Sequence, residues 1–414
     1  MKAMHRDAFI SAIEALGLAP APWDRMEEFD PAIPAVDALF GTGLSRPPQG
    51  AVAEAVSWLS DRPTLALDLP SGLDGWTGRP LGPCVRARAT ATFARMKAGL
   101  LLDPGRDFAG TVRVVDIGIP SAEWDEEDSV EVLDADWARE RLPVRPRGTH
   151  KGSAGKAALL VGSADYFGAA VLSSSAALRS GAGLVTVAST IDVARSISHA
   201  VPETMGRLAI GPDAPPLDQV LSKADAILAG PGLGTSDEAA RALASLLASW
   251  NGPLALDADA LNIVAARADL REQLELFRGR LVLTPHPVEA SRLLSVPAEQ
   301  LLSDPLGSAK HLAQTFGAVV VFKTATPAIA SSLGLLAMGV AGHPGMAVGG
   351  CGDALAGALV ARLAEGASPW EASLQAVRAH ARAGEIAGAS GHRGMSVTDL
   401  IAALPAAWEE MEAR

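Results

Sequence analysis

The chain has 414 residues, of which 20% are charged and 49% hydrophobic, and its formal net charge is −12 at pH 7. This length is enough for two buried cores, and the acidic balance argues against nucleic acid or an anionic membrane surface as the main partner. The two cysteines, Cys84 and Cys351, exclude a disulfide framework and a cysteine-rich metal site. Neither a signal peptide nor a membrane span is predicted, so we expect a cytoplasmic protein.

The N-terminal part alternates short apolar runs with one helical pattern. Residues 35–40, 64–67 and 91–93 are typical of strands, and residues 51–60 predict a helix between the first two. So few strands in about 120 residues predict a small, incomplete Rossmann-like α/β sheet.

An acidic stretch followed by prolines separates this part from the rest of the chain. Acidic residues crowd into 123–128, and Pro143 and Pro146 follow. Such clusters are typical of an exposed connection between domains. We therefore predict a first domain over residues 1–125, a linker over 126–145 and a second domain over 146–414.

The second part alternates continuous apolar runs with helical stretches. The runs predicted as strands are 157–161, 184–188, 226–229, 254–256, 281–283 and 319–322, and residues 169–179 predict an alanine-rich helix. Continuous apolar strands separated by helices indicate a mostly parallel sheet that is covered on both faces. The predicted fold is a three-layer α/β domain, with ligands at the carboxyl ends of its strands.

The loop at 343–353 is the richest candidate site, and it leads directly into a predicted helix at 354–363. Its glycines allow backbone N–H groups to converge on an anion, where the helix dipole adds positive potential. Asp353 would then lie beside a bound phosphate, a position that suits a base toward a substrate hydroxyl. The alternative is that Asp353 only caps the helix.

Four further loops follow predicted strands. His286 lies between two prolines in the 284–289 loop and is either structural or catalytic. Residues 257–262 place two carboxylates and an amide at one strand end, where they either hold a metal–nucleotide complex or cap the next helix. Residues 230–234 form a glycine-rich loop, and Lys323 ends a strand in a position that suits phosphate charge.

The second domain resembles the ADP-dependent NAD(P)H-hydrate dehydratases of the ribokinase-like superfamily. Eight segments occur in the order found in that family, at 150–152, 168–170, 179–184, 202–205, 230–234, 257–262, 284–289 and 345–353. The resemblance implies repair of (S)-hydrated NADH and NADPH to the working coenzymes. Phosphorylation of the C6 hydroxyl would convert ADP to AMP, and phosphate would then be eliminated.

The resemblance also implies roles for individual residues. Asp353 would be the general base, beside an anion hole formed by the N–H groups of Gly349, Gly350, Cys351 and Gly352. The hydrated dinucleotide would contact Ala169, Gly232, Gly234 and His286, as well as Asp353. ADP would contact Lys323, Thr324, Ala325, Thr326, Pro327 and Gly352, and Mg²⁺ would bridge its phosphates. Relatives of this domain commonly assemble, so a homo-oligomer is expected.

The first domain resembles the NAD(P)H-hydrate epimerases that are fused ahead of this dehydratase in many bacteria. The matching segments are 36–44, 67–74, 93–99 and 114–120. By this resemblance Asp37 and Ser71 would bind potassium, and Asp68 would contact substrate together with Gly41, Thr42, Gly43, Leu44, Ser45, Arg46 and Pro47. The Gly/Asn-rich loop of that family is absent. The domain is therefore either a degenerate platform, or the coding sequence begins further upstream.

Two other functions remain open from the sequence. A small-molecule kinase of the same superfamily, acting on a vitamin precursor, would share the glycine-rich loop and the aspartate. A non-catalytic nucleotide-binding relative would retain the fold with a decayed site.

Overall fold

The computed structural model describes residues 15, 29–120, 129–389, 391 and 393–412. The chain divides between residues 121 and 122 into two compact units. No helix of the described residues is long and apolar enough to cross a membrane.

The first unit is built on a four-stranded parallel sheet in the order β1-β2-β3-β4. Its elements are β1 (Ala35–Asp37), α1 (Ala51–Ser60), β2 (Thr64–Leu67), β3 (Ala89–Phe93), α2 (Gly105–Ala109) and β4 (Thr111–Val115). The predicted strand at 35–40 is shorter in the structure. It ends at Asp37 because the backbone N–H groups of Leu39 and Phe40 bond to the side chains of Asp37 and Ser71.

The second unit contains a ten-stranded sheet in the order β5-β14-β13-β12-β11-β10-β9-β6-β7-β8. Its strands are β5 (Val130–Leu133), β6 (Lys156–Leu160), β7 (Leu184–Ser189), β8 (Thr204–Leu208), β9 (Ala226–Ala229), β10 (Leu254–Leu256), β11 (Leu281–Leu283), β12 (Val319–Phe322), β13 (Ala328–Ser331) and β14 (Leu336–Gly339). Only the pairs β12–β13 and β13–β14 are antiparallel. The sheet is therefore mostly parallel, which confirms the prediction from the sequence.

Helices connect these strands and cover the sheet. They are α3 (Ala135–Arg141), α4 (Phe167–Arg179), α5 (Ile191–Ala200), α6 (Leu217–Leu221), α7 (Asp237–Ser249), α8 (Asp259–Ala266), α9 (Ala268–Gln273), α10 (Pro287–Leu294), α11 (Ala298–Ser303), α12 (Pro305–Phe316), α13 (Cys351–Ala364), α14 (Pro369–Gly388) and α15 (Val397–Glu412). Every residue of β9 to β12 is buried, so both faces of the central sheet are covered.

The predicted linker at 126–145 differs from the structure. Residues 130–133 form β5, which pairs in parallel with β14, and residues 135–141 form α3. Leu133, Trp137 and Ala138 are buried in the same core cluster as the central strands. The acidic composition around 123–128 suggested a linker here, and the sequence contains no local sign of β5, because its partner strand lies about 200 residues further along the chain.

Small side chains allow α13 to lie close to α4. A Cβ atom added at Gly357 would lie 2.8 Å from the Cβ of Ala176. Only 4% of the chain is aromatic, and such a composition favours close packing of small side chains, which holds α13 in place against α4. The C-terminal helix α15 buries one face that includes Leu400, Leu404 and Trp408.

Candidate active site

Loops from five neighbouring strands meet at one edge of the larger sheet. Strands β12, β11, β10, β9 and β6 are adjacent and parallel, so their carboxyl ends share this edge. The loops after β12, β11, β10 and β9 carry Lys323, His286, Asp257 and the glycines at 230–234, and the loop after β6 carries Tyr166. The first four of these loops are separate candidates in the sequence, and the strand order brings them together.

The first turn of α13 presents backbone N–H groups at this edge. The helix begins at Cys351 after Gly350, whose φ of 96° places it in the left-handed region that favours glycine. No side chain of the described residues caps this terminus, and the first amides of a helix have no partner within it. Asp353 lies two residues beyond the start of the helix, and Gly350 is at the cap position. The N–H of Cys351 makes one long bond, at 3.5 Å, to the carbonyl of Val348, so the N–H groups of Gly350 and Gly352 are the ones most available to an anion.

Asp353 lies in a concentration of negative charge. Burial, together with the charges of Asp257, Asp259 and Glu289, raises its pKa to about 7, although Lys323 acts in the opposite direction. A carboxyl with this pKa exchanges its proton near neutral pH, which suits a general base.

Lys323 is the cation of the site. Its Nζ lies 2.5 Å from Oδ1 of the buried Asp257 and 4.0 Å from Oε2 of Glu289. Burial alone would lower the pKa of Lys323, but these two carboxylates raise it, so the side chain stays charged. A Cβ atom added at Gly352 would lie 3.3 Å from this Nζ, which places the lysine directly beside the first turn of α13.

His286 and Glu289 form a reciprocal cap at the start of α10. The Nδ1 of His286 accepts from the N–H of Val288 at 3.1 Å, and Oε2 of Glu289 accepts from the N–H of His286 at 2.8 Å. Since Nδ1 is an acceptor, the ring proton lies on Nε2, which is 3.2 Å from Oε1 of Glu289. His286 thus caps α10, and about half of its side chain remains exposed; contact with substrate stays a prediction.

Glu289 is a site residue that sequence reasoning did not single out. It is 4% exposed, and burial raises its pKa to about 7. The sequence does contain a signal for Glu289. It lies three residues after His286, and an acidic residue at that spacing from a helix cap is typical of a capping box.

The 257–262 cluster does not cap its helix either. Asp257 pairs with Lys323, and Oδ2 of Asp259 accepts from the N–H of Gly234 at 2.9 Å. Between them Ala258 has a φ of 49°, a strained conformation for a residue with a side chain. The carboxylates on either side of it contact two different loops of the site.

Two predicted substrate residues adjoin each other. A Cβ atom at Gly232, whose φ is 59°, would lie 2.7 Å from the Cβ of Ala169 and 2.8 Å from the Cβ of Tyr166. Tyr166, the single tyrosine of the chain, is 59% exposed and was not identified from the sequence.

The predicted ADP segment is the turn between β12 and β13. Lys323 begins it, and Oγ1 of Thr324 donates back to the carbonyl of Thr326 at 2.6 Å. Ala325 is exposed, Thr326 is buried, and the carbonyl of Pro327 accepts from Gly339. Gly349 is exposed just ahead of α13.

In the first unit the predicted residues form two adjacent groups. Ser71 donates to Asp37 through both its hydroxyl, at 2.6 Å, and its backbone N–H, at 2.7 Å. Asp68, with a φ of 67°, accepts from the N–H of Thr42 and lies 2.5 Å from Nζ of Lys97.

The other predicted epimerase-like residues lie on the same loop. Leu44 bonds to the carbonyl of Gly41, whereas Thr42, Gly43, Ser45, Arg46 and Pro47 are exposed. Potassium binding and substrate contact at these positions stay predictions.

A glycine-rich helix start, a carboxyl titrating near neutrality and a lysine at a neighbouring strand end together define an α/β enzyme that handles phosphoryl groups. A family profile for NAD(P)H-hydrate dehydratase matches residues 157–406, and one for the YjeF-related protein N-terminus matches residues 10–99. The chain belongs to the NAD(P)H-hydrate dehydratase family.

Relatives that are named as bifunctional repair enzymes agree with both profiles. A bifunctional NAD(P)H-hydrate repair enzyme of Moorella thermoacetica is 37% identical over 390 residues, which cover 91% of this chain and 73% of the relative. The enzyme of that name from Escherichia coli is 34% identical over 405 residues, covering 97% of this chain and 76% of the relative.

Solved structures resemble the larger unit. A ribokinase-like superfamily protein of Enterococcus faecalis is 28% identical with a TM-score of 0.60, covering 70% of this chain and 98% of its own. An ADP/ATP-dependent NAD(P)H-hydrate dehydratase of Bacillus subtilis, co-crystallised with ATP and Mg²⁺, is 28% identical with a TM-score of 0.58, covering 69% and 100%. The predictions of a ribokinase-like α/β domain and of the hydrate dehydratase family are confirmed.

Proposed function

We propose that the larger unit dehydrates (S)-hydrated NADH and NADPH with ADP as phosphate donor, and that Asp353 is the general base. The observation that carries this proposal is the position of Asp353. It lies in the first turn of α13, beside the backbone N–H groups of Gly350 and Gly352, with a pKa of about 7. Asp353 takes the proton of the C6 hydroxyl while the N–H groups of residues 350–352 stabilise the transferred phosphoryl group.

The residues present fit a Mg²⁺–nucleotide complex. Among the residues that the structure describes, no three histidine, cysteine or acidic side chains converge on one point. Mg²⁺ typically takes one or two carboxylates, with phosphates and water completing its coordination. Asp257 and Glu289 are the carboxylates nearest Lys323, so we propose that they hold the ion, which would neutralise phosphate charge. Lys323 would then bind the ADP phosphates.

The proposal is tested by incubating the purified chain with (S)-hydrated NADH, ADP and MgCl₂. Recovery of the near-ultraviolet absorbance of NADH, with AMP and phosphate formed in equal amounts, is expected. A parallel incubation replaces the hydrate with hydroxymethylpyrimidine or thiazole alcohol. Phosphorylation of either compound, without turnover of the hydrate, would identify a vitamin-precursor kinase. ADP binding without turnover of either substrate class would identify a non-catalytic relative.

We expect the pH dependence of kcat/KM to follow the ionisation of Asp353. The base must be deprotonated, so kcat/KM should fall as the pH is lowered through about 7, approaching a tenfold loss per pH unit. The apparent pKa belongs to the Asp353–Glu289 cluster, because the two groups interact. Initial rates at saturating ADP between pH 5.5 and 8.5 measure this, and a flat profile would contradict the assignment.

A second function, hydrate epimerisation, is favoured by one feature of the first unit. Asp68 is held in a left-handed conformation and is paired with Lys97, and strain of this kind often occurs at functional sites. We expect a mixture of R and S hydrates to lose its R form faster with the wild-type chain than with Asp68→Asn. Equal rates would contradict an epimerase site at Asp68, while loss of the S form serves as the internal control.

A further inference from the structure

One face of α14 lies against the loop that leads into α13. His380, Gly384 and Gly388 are spaced four residues apart, so they share a face of the helix. All three meet residues between His343 and Cys351. The reaction proposed above assigns this helix no part.

His380 bonds to the first residue of α13. Its Nε2 lies 3.0 Å from the carbonyl oxygen of Cys351, and because a carbonyl only accepts, Nε2 carries the proton. The side chain is buried, and burial lowers its pKa to about 4, so the imidazole is neutral at physiological pH. A neutral donor adds no charge beside Lys323, whose own charge also lowers the pKa of His380.

The two glycines of this face accommodate larger side chains of the loop. A Cβ atom at Gly384 would collide with Sδ of Met346, and one at Gly388 would collide with the ring of His343. The His343 ring in turn accepts at Nδ1 from the N–H of Gly345, at 3.1 Å. The loop is therefore held at three successive turns of one helix.

We propose that the face formed by His380, Gly384 and Gly388 positions the anion-binding loop, with His380 as the positioning residue for the first turn of α13. The proposal rests on the dehydratase function argued above. Cys351 begins the turn that carries both the anion-binding N–H groups and Asp353. A bond to its carbonyl consequently holds this turn, with its donors and the base, against α14.

The test compares His380→Leu, which removes the donor, with His380→Gln, whose amide is able to donate. Misplacement of reacting groups by about 1 Å costs about 100-fold in rate, so we expect kcat of His380→Leu to fall by about 10- to 100-fold. KM for ADP should change less than kcat, and the apparent pKa of the rate profile should shift. His380→Gln should recover most of kcat.

The matched control is Ser373→Ala. Ser373 is buried on the same helix, but its hydroxyl bonds to the carbonyl of Pro369 within that helix. This variant should keep kcat and the pH profile of the wild type. Equal losses in Ser373→Ala and His380→Leu, or an unchanged kcat in His380→Leu, would overturn the proposal.

Hydrogen exchange separates failure of this proposal from failure of the proposed function. The amides of Cys351 and Ala354, which bond to the carbonyls of Val348 and Gly350, should exchange faster in His380→Leu and in Gly388→Ala than in the wild type or in Ser373→Ala. This measurement needs no substrate. A chain that lacks dehydratase activity but shows the exchange pattern would refute the proposed function and retain the positioning role, whereas unchanged exchange would refute the positioning role.

Discussion

Asp353→Asn is expected to reduce kcat for (S)-hydrated NADH by about 10²- to 10⁴-fold, the range typical for loss of a general base. Asparagine has nearly the same shape but accepts no proton from the C6 hydroxyl. The backbone N–H groups that bind phosphate do not depend on this side chain, so the Kd for ADP should stay within about threefold, a change under about 1 kcal/mol. Single-turnover kinetics and equilibrium ADP binding measure the two effects.

The same substitution should not destabilise the chain. Since burial raises the pKa of Asp353 from 3.8 to about 7, the protonated form is favoured in the folded state. The stability associated with this group is fully present below about pH 4 and is lost as the pH rises through about 7. An amide stays neutral throughout, so Asp353→Asn should be at least as stable as the wild type at pH 8 in urea denaturation.

Asp218→Asn is a suitable control for both measurements. Asp218 is an exposed first-turn aspartate of α6, and it lines a surface cavity with Trp250 and Gly252, which precede β10. That cavity is at the amino ends of the strands, opposite the site. Wild-type turnover by Asp353→Asn would refute the base assignment, and loss of activity in Asp218→Asn would show that the assay reports stability rather than chemistry.

The extent of sequence-based prediction differed between elements for physical reasons. Strands such as β9 and β12 are continuous apolar runs, and their period and length predict buried parallel strands directly. Strand β8 was not predicted, because its sequence TMGRL is polar and only partly buried at the sheet edge. Strand β5 was concealed by its acidic surroundings, since its pairing with β14 depends on residues far along the chain.

In the site, too, local features were predictable and those that depend on distant residues were not. The position of Asp353 at a glycine-rich helix start is local, so the sequence predicted it. Its raised pKa depends on Asp257 and Glu289, which come from other loops and reach Asp353 only through the order of the strands. Interactions such as His380 with Cys351 depend on how α14 packs, and no local pattern signals them.

Lys323→Met is expected to have the largest effect on stability. It removes the only cation within salt-bridge distance of the buried Asp257 among the residues that the structure describes. Breaking a buried ion pair on one side typically costs about 3–5 kcal/mol, because the remaining charge has lost its partner. We expect a loss of this size in the free energy of unfolding at pH 8, together with a loss of ADP affinity. Lys223→Met, at an exposed position, should change neither.

The double variant Lys323→Met/Asp257→Asn tests the cause of that loss. If the cost arises from an uncompensated carboxylate, neutralising Asp257 as well should recover a large part of the free energy of unfolding, since replacing both members of a buried pair is far less costly than removing one. ADP affinity should not recover, because the lysine charge that we assign to the phosphates is still absent. Additive destabilisation by the two substitutions would contradict the pairing, whereas recovery of ADP binding along with stability would show that Lys323 neutralises Asp257 without binding the nucleotide.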